Sequence, residues 1–104
     1  MANNLFEKSF NLKNNSYLSS EFKPLWGQKG VFTSIPVIGK TPRFIGLNSY
    51  LSTFNNTCRD YKFDAKLNPK MIRELIAEDI KQIKIFNHLL RIATNGTTLS
   101  ISLR

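Results

Sequence analysis

The sequence predicts an α+β fold in which one long amphipathic helix is followed by a strand, and an extended, largely irregular arm precedes both. Apolar residues recur at helical spacing between residues 69 and 94, and they alternate with polar residues after Gly96. Upstream, glycine and proline recur at short intervals, which disfavours long helices. With 104 residues the chain has the size of one domain at most.

The first stretch, residues 1–23, is predicted to be a polar N-terminal arm. It is rich in asparagine and serine and carries isolated apolar residues such as Leu5, Phe10 and Tyr17. This pattern allows a short helix around residues 4–12, and it favours an extended arm that lies on a partner.

The second stretch, residues 24–67, is predicted to be a basic, aromatic extension that is interrupted by glycine and proline. Such residues disfavour a long helix and allow only short strands, such as one over residues 31–35. A long segment without regular elements is unusual in a free-standing domain, so we expect a partner to supply its shape. The interrupting residues are Pro24, Gly27, Gly30, Pro36, Gly39, Pro42 and Gly46.

A long amphipathic helix is predicted over residues 69–94. Asn68 can cap its start, and Pro69 suits the first helical position because the missing amide proton is harmless there. Asn95 and Gly96 supply a left-handed stop. The helix and the following strand make up the third stretch, a helix-strand unit over residues 68–104.

Helical spacing gives this predicted helix an apolar face and a basic face. The apolar face comprises Ile72, Leu75, Ile76, Ile80, Ile83, Phe86, Leu90 and Ala93. The basic face comprises Lys70, Arg73, Lys81, Lys84, His88 and Arg91, within an arc of about 80°. This face is interpreted as a phosphate-binding surface, with a solvated charged face as the alternative. Asp79 falls on the apolar side and is expected to need a cation or hydroxyl partner from the middle segment or from a neighbouring protein.

After Gly96 the sequence predicts a half-buried strand that runs to the last residue. Leu99, Ile101 and Leu103 alternate there with polar residues. We expect a partner, such as a second fragment, to complete the sheet to which this strand belongs.

Charge and aromatic content together predict binding to RNA, to DNA or to a large anionic assembly, with a solvated basic surface as the alternative. The formal net charge is +8, and no acidic residue occurs between Phe22 and Arg59. Cations in this region can neutralise phosphates, and the interleaved aromatic rings can stack on unpaired bases. The candidate phosphate contacts there are Lys23, Lys29, Lys40, Arg43 and Arg59. The candidate stacking residues are Trp26, Phe32, Phe44 and Tyr50.

No catalytic or metal-binding motif is found in the sequence. Cys58 is the single cysteine, which rules out an intrachain disulfide and a multi-cysteine zinc site. Nothing in the sequence orients His88 as a base for Cys58. The segment from Gly39 to Thr41 lacks the first glycine of a phosphate-binding loop. We therefore expect no enzymatic activity, no cofactor, no metal and no small-molecule substrate.

Part of the third stretch resembles a ribosomal protein family. The segment Glu74-Leu75-Ile76-Ala77-Glu78-Asp79-Ile80-Lys81, the turn at Gly96 and the strand Leu99-Ser100-Ile101-Ser102-Leu103-Arg104 are similar to the N-terminal region of the third protein of the small ribosomal subunit. Gly27-Gln28-Lys29 also resembles the tripeptide that usually opens that family. The resemblance implies an organellar form or fragment with a partial RNA-binding K-homology fold. It also implies phosphate contacts at Lys70, Arg73, Lys81, Lys84 and Arg91.

These observations predict a structural, RNA-binding component of the small ribosomal subunit in the mitochondrial matrix. Its expected partners are ribosomal RNA and neighbouring ribosomal proteins. The start of the chain has no secretory hydrophobic core, and the asparagine- and phenylalanine-rich composition suits a mitochondrial genome. The main alternative is a non-catalytic accessory subunit of a mitochondrial membrane complex such as a respiratory enzyme, whose basic face meets acidic protein or anionic lipid. A third interpretation is an adaptor of a phage or secretion machine.

Overall fold

A computed structural model describes residues 4–13 and 16–104, which form a six-stranded antiparallel sheet and two helices. Residues 1–3 and 14–15 of the predicted N-terminal arm lie outside the described residues. The order of strands in the sheet is β2-β1-β6-β5-β3-β4. In chain order the elements are β1 (Phe6–Lys13), β2 (Ser16–Ser20), β3 (Val31–Gly39), β4 (Arg43–Phe44), α1 (Leu47–Asp60), α2 (Pro69–Ile80), β5 (Phe86–Thr94) and β6 (Thr98–Leu103).

The predicted fold of one long helix followed by a strand is wrong, and so is the partial K-homology-like unit. The helix begins where predicted, and the Asn68 side chain accepts a hydrogen bond of 2.8 Å from the Met71 backbone amide. It ends at Ile80, however, and β5 replaces its second half. The misassignment has a physical cause, because Phe86 and Leu90 are four residues apart and lie on one side in a helix and in a strand alike.

The predicted irregular arm is also wrong, since it contains four strands and the helix α1. This helix buries a stripe at helical spacing, formed by Leu47, Leu51, Phe54 and Cys58. Asparagine, serine and threonine fill much of the remaining helix, and their low helix propensity masks the stripe in the sequence.

Strand β3 is longer than predicted and contains Pro36 in its middle. A proline is tolerated in a strand where its nitrogen faces away from a paired neighbour. The Pro36 carbonyl accepts a hydrogen bond of 2.9 Å from the Ile45 amide, so its polar backbone faces the β4 edge. Because β4 pairs only with Val37 and Ile38, the missing amide proton of Pro36 removes no hydrogen bond between β3 and a long neighbouring strand on that side.

Lys8 ties the first strand to the second helix. Its ammonium lies 2.8 Å from the Asp79 carboxylate and donates a hydrogen bond of 2.7 Å to the Leu75 carbonyl. Asp79 therefore has a cationic partner, but this partner comes from the N-terminal segment and not from the middle segment or a neighbouring protein, as was expected. Lys8 occupies a helix-facing position of β1 between Phe6 and Phe10, which hides the apolar alternation of this strand in the sequence.

The core lies between the helices and one face of the sheet. A strand after Gly96 was predicted correctly, but β6 is buried along its whole length rather than half-buried. Its two neighbours, β1 and β5, belong to this chain, whereas a second fragment was expected to complete the sheet. Its alternate residues Leu99, Ile101 and Leu103 belong to the core, where they join Ile72 and Ile76 of α2. Within the described residues no helix is long and apolar enough to cross a bilayer.

Candidate nucleic-acid interface

The sheet has a second face that the helices do not cover, here called the open face. Side chains alternate along each strand, so the residues between the core positions point to this side. On β5 these residues include Leu89 and Arg91, and on β3 they include Phe32 and Ser34. The open face is therefore the surface on which the sheet itself can meet a partner.

A connecting segment, residues 21–30, crosses the open face from β2 to β3 and is here called the strap. The Lys23 amide donates a hydrogen bond of 2.9 Å to the Ser9 hydroxyl, and the Ser100 hydroxyl donates one of 2.7 Å to the Lys23 carbonyl. The side chain of Leu25, a strap residue, is buried. At its end Gly30 has a φ of 155°, and a Cβ there would collide with the Thr94 carbonyl. The strap is therefore held at a defined position over the sheet.

An aromatic and cationic cluster forms where the strap meets β3 and β5. The Arg91 guanidinium lies 3.9 Å from the centroid of the Trp26 ring, and the Trp26 and Phe32 centroids are 4.9 Å apart. Phe32 remains 53% exposed. A guanidinium stacked on an indole keeps its planar N–H donors available at its edge. The cluster thus presents ring surface and hydrogen-bond donors side by side.

Arg91 is a cation of the open face that is only partly exposed. Within residues 4–13 and 16–104, no carboxylate forms an ion pair with Arg91 and no hydrogen bond engages its side chain. Partial burial, and secondarily the positive charge of Arg104, lower the pKa of the Arg91 guanidinium. An anionic or hydrogen-bond-accepting partner would therefore stabilise the charged form.

A cavity of about 210 Å³ lies between the strap and the sheet. Glu7 and Arg91 line it, together with Ser102 between them and Trp26 of the strap. It combines an acceptor group, donor groups and an aromatic wall, which is the composition of a small-ligand site.

Aliphatic side chains form another part of the open face. Leu89 exchanges backbone hydrogen bonds of 3.0 and 2.9 Å with Arg104, which places the two residues side by side. Leu5, Ile38 and Ile45 are also exposed large apolar residues, and the strand register places them on the same face. This aliphatic area, with cations at its edge, suits contact with another protein.

The predicted phosphate contacts do not lie on one surface. Lys23 and Lys29 lie on the strap, Arg43 and Arg91 lie on the open face, and Lys40 lies in the turn between β3 and β4. On the helix side are Arg59, Lys70, Arg73, Lys81 and Lys84. Two of the latter pair with acidic neighbours, Lys70 with Glu74 at 3.9 Å and Lys81 with Glu78 at 2.9 Å. No single helix carries a continuous basic face.

The four predicted stacking residues separate in a similar way. Trp26 and Phe32 meet on the open face, as described above. Phe44 is half-buried against the core, and the Arg73 guanidinium lies 5.6 Å from the centroid of its ring. Tyr50 is exposed on α1, where it lines a separate surface groove with Phe32. Of the four, only Trp26 and Phe32 are therefore neighbours on the open face, with their ring planes tilted by 58°.

Sequence reasoning missed several residues of the open face, namely Glu7, Ser34, Leu89, Ser102 and Arg104. Their signal is the alternation of residue types along the strands. At β5 this alternation was not recognised, because the segment was assigned to a helix.

Cys58 is fully buried, and burial raises the pKa of its thiol to about 11. Across the described parts of the chain, no group of three or more metal-binding side chains comes together. Comparison with family models, curated proteins and solved structures finds no match to this chain.

Proposed function

We propose that this protein is a non-catalytic RNA-binding protein that holds an unpaired strand on the open face beside the strap. The observation that carries the proposal is the cluster of Trp26, Phe32 and Arg91. Aromatic rings stack on bases of any sequence, and arginine edges donate hydrogen bonds to bases or phosphates. Double-helical RNA hides its bases, so the ring surfaces favour an unpaired strand.

Electrostatics support the same proposal. The formal net charge of +8 attracts polyanions. The strap residues after Phe22 and the whole of β3 belong to the part of the sequence that contains no acidic residue. Lys29 on the strap and Arg43 on β4 lie at opposite ends of β3, in reach of a backbone that runs along this strand. A strand bound in this way exchanges condensed counterions for protein cations.

The narrower proposal is a structural component of the small ribosomal subunit in the mitochondrial matrix, in contact with ribosomal RNA and neighbouring ribosomal proteins. It rests on the resemblance of residues 74–81 and 99–104 to the third protein of that subunit. In the structure the first segment lies on the last turns of α2 and the residue after it. The second segment lies on β6 and the residue after it, and the Gly96 turn precedes this strand. Because β5 lies between the helix and the turn, the narrower proposal rests on the sequence resemblance alone.

RNA binding is tested by fluorescence anisotropy with a short labelled single-stranded RNA. Phe32→Ala should weaken binding by about 10-fold or more, because loss of one base–aromatic stack costs about 1–3 kcal/mol. Tyr61→Ala is the matched control, since Tyr61 is 56% exposed and Phe32 is 53% exposed, but Tyr61 follows α1 on the helix side. Equal affinities of the two variants, or no binding by the parent protein, would contradict the proposal.

A second candidate function is a non-catalytic accessory subunit of a mitochondrial membrane complex. The aliphatic area around Leu89 and Ile38 is the observation that favours it, because RNA recognition does not require such side chains. The double variant Leu89→Ser/Ile38→Ser separates the two functions. If it leaves RNA affinity unchanged and abolishes incorporation into a complex that contains no RNA, the accessory-subunit function is the better account.

A further inference from the structure

We infer that the cavity beneath the strap is a pocket for one unpaired nucleobase and that it selects guanine. This inference rests on the proposed RNA-binding function and adds base selectivity to it. It concerns the cavity lined by Glu7, Ser102 and Arg91, which lies beside the exposed stacking surface of Phe32.

The size and walls of the cavity suit a single planar ring system. Its volume of about 210 Å³ is below the range of roughly 300–1,000 Å³ that is typical of pockets for drug-sized ligands. Pro24, Leu25 and Trp26 of the strap form its apolar wall, and Ser100 and Ser102 contribute hydroxyls from β6. A space of this size can hold one extruded base.

The strand register places an acceptor and a donor at opposite ends of one row. Glu7 pairs with Ser102, and Ser102 pairs with Arg91, so the three residues lie directly across β1, β6 and β5. Neighbouring strands are about 4.8 Å apart, which separates the Glu7 and Arg91 backbones by roughly 10 Å. Within the described residues these two side chains form no ion pair with each other. A ligand between them can therefore donate to one and accept from the other.

Guanine matches this row better than the other bases do. Its Watson–Crick edge carries two adjacent donors, N1–H and N2–H₂, which the two oxygens of a carboxylate accept together. Its O6 and N7 atoms are the acceptors that arginine contacts in pairs. Asn4 donates a hydrogen bond of 3.1 Å to Glu7 Oε2, which orients the carboxylate, and each of the two oxygens keeps an acceptor site for the base. Adenine, cytosine and uracil lack two adjacent donors on one edge.

The test is anisotropy binding of the full chain to short single-stranded oligouridine RNAs that carry one central guanine, adenine, cytosine or uracil. The guanine RNA should bind about 10-fold tighter than the others, because one well-made paired contact discriminates by about 1–3 kcal/mol. Replacing guanine by inosine, which lacks the N2 amino group, should remove most of this preference.

Glu7→Gln should abolish the guanine preference and keep binding to the uracil RNA, because the amide replaces one acceptor by a donor. Glu74→Gln removes the same charge from an exposed position on α2 and should leave the preference intact. Equal affinity of the parent protein for all four RNAs would overturn the guanine pocket and leave the RNA-binding function standing. A guanine preference that survives in Glu7→Gln would also overturn it. No binding to any RNA would overturn both.

Discussion

The two faces of the sheet are made by alternate residues of the same strands, and they differ in burial and in chemistry. Ile35 and Leu90 face the helices and are fully buried, whereas their sequence neighbours Ser34 and Arg91 face the strap and the solvent. On one face apolar burial stabilises the fold, and on the other polar, aromatic and cationic groups remain available to a partner. Of two adjacent residues in a strand, one therefore stabilises the core and the other is available to contact a partner.

The largest expected difference between the faces is in the cost of truncating adjacent leucines. Leu90 is 0% exposed and Leu89 is 42% exposed. Leu90→Ala should lower the free energy of unfolding by about 2–5 kcal/mol, because it leaves a cavity in the core. Leu89→Ala should change this free energy by about 0.5 kcal/mol or less. Urea denaturation measures both, and similar costs would contradict the assignment of the faces.

A smaller effect is expected from Lys8, the charged residue on the helix-covered face. Its side chain is 30% exposed and that of Asp79 is 26% exposed, so the ion pair is only partly desolvated. Lys8→Met should lower the free energy of unfolding by about 1.5–3 kcal/mol, the range for hydrogen bonds to charged groups. A double-mutant cycle with Asp79→Leu measures the coupling, and additive effects would show that the pair contributes nothing.

The salt dependence of RNA binding shows whether cations of the open face or cations of the helix side contact the phosphates. Arg43 is at the open face, and Arg59 is exposed on α1. Arg43→Gln should reduce the slope of log affinity against log salt by about 0.7, the value for one phosphate contact to a single strand. Arg59→Gln should leave the slope unchanged. A reduced slope for Arg59→Gln and an unchanged slope for Arg43→Gln would show that the RNA phosphates contact the helix side.

The smallest expected effect concerns Cys58 in the core. Its pKa is raised to about 11 in the folded protein, so the folded state retains the proton over a range where the unfolded thiol has lost it. The contribution of Cys58 to stability should therefore be complete below about pH 9 and be lost as the pH rises towards 11. Comparison with Cys58→Ala isolates this contribution from other titrations. Rapid reaction of the native thiol with a disulfide reagent at neutral pH would contradict its burial.

Local signals in the sequence predicted some elements correctly and failed for others. Asn68 and Pro69 marked the start of α2 because capping and the first-turn proline are local effects. The alternation after Gly96 predicted β6 for the same reason. The end of α2 was not predictable in this way, because the spacing of Phe86 and Leu90 fits both structures and pairing with β3 and β6 decides between them.

The missed helix α1 has a different explanation. No glycine or proline occurs between Gly46 and Pro69, so the interruptions that disfavoured a helix apply only to the residues before it. The apolar stripe of α1 was present in the sequence and was outweighed by its many polar residues. Strand β1 was missed because Lys8 interrupts its alternation, and its partner Asp79 lies 71 residues away.

The candidate site was only partly predictable from the sequence. Trp26, Phe32 and Arg91 were each candidates by residue type, but their meeting depends on the strap crossing the sheet. The row of Glu7, Ser102 and Arg91 depends on strand register, which no local pattern in this chain reveals.

The most direct test of RNA binding at the open face is a heteronuclear NMR titration with single-stranded RNA. Trp26 is the single tryptophan, so one indole N–H signal reports on the cluster beside Arg91. This signal and the amides of Phe32 and Ser102 should shift and saturate together, while the amides of exposed α1 and α2 residues stay in place. An unchanged indole signal, with shifts confined to α1 and α2, would contradict the account.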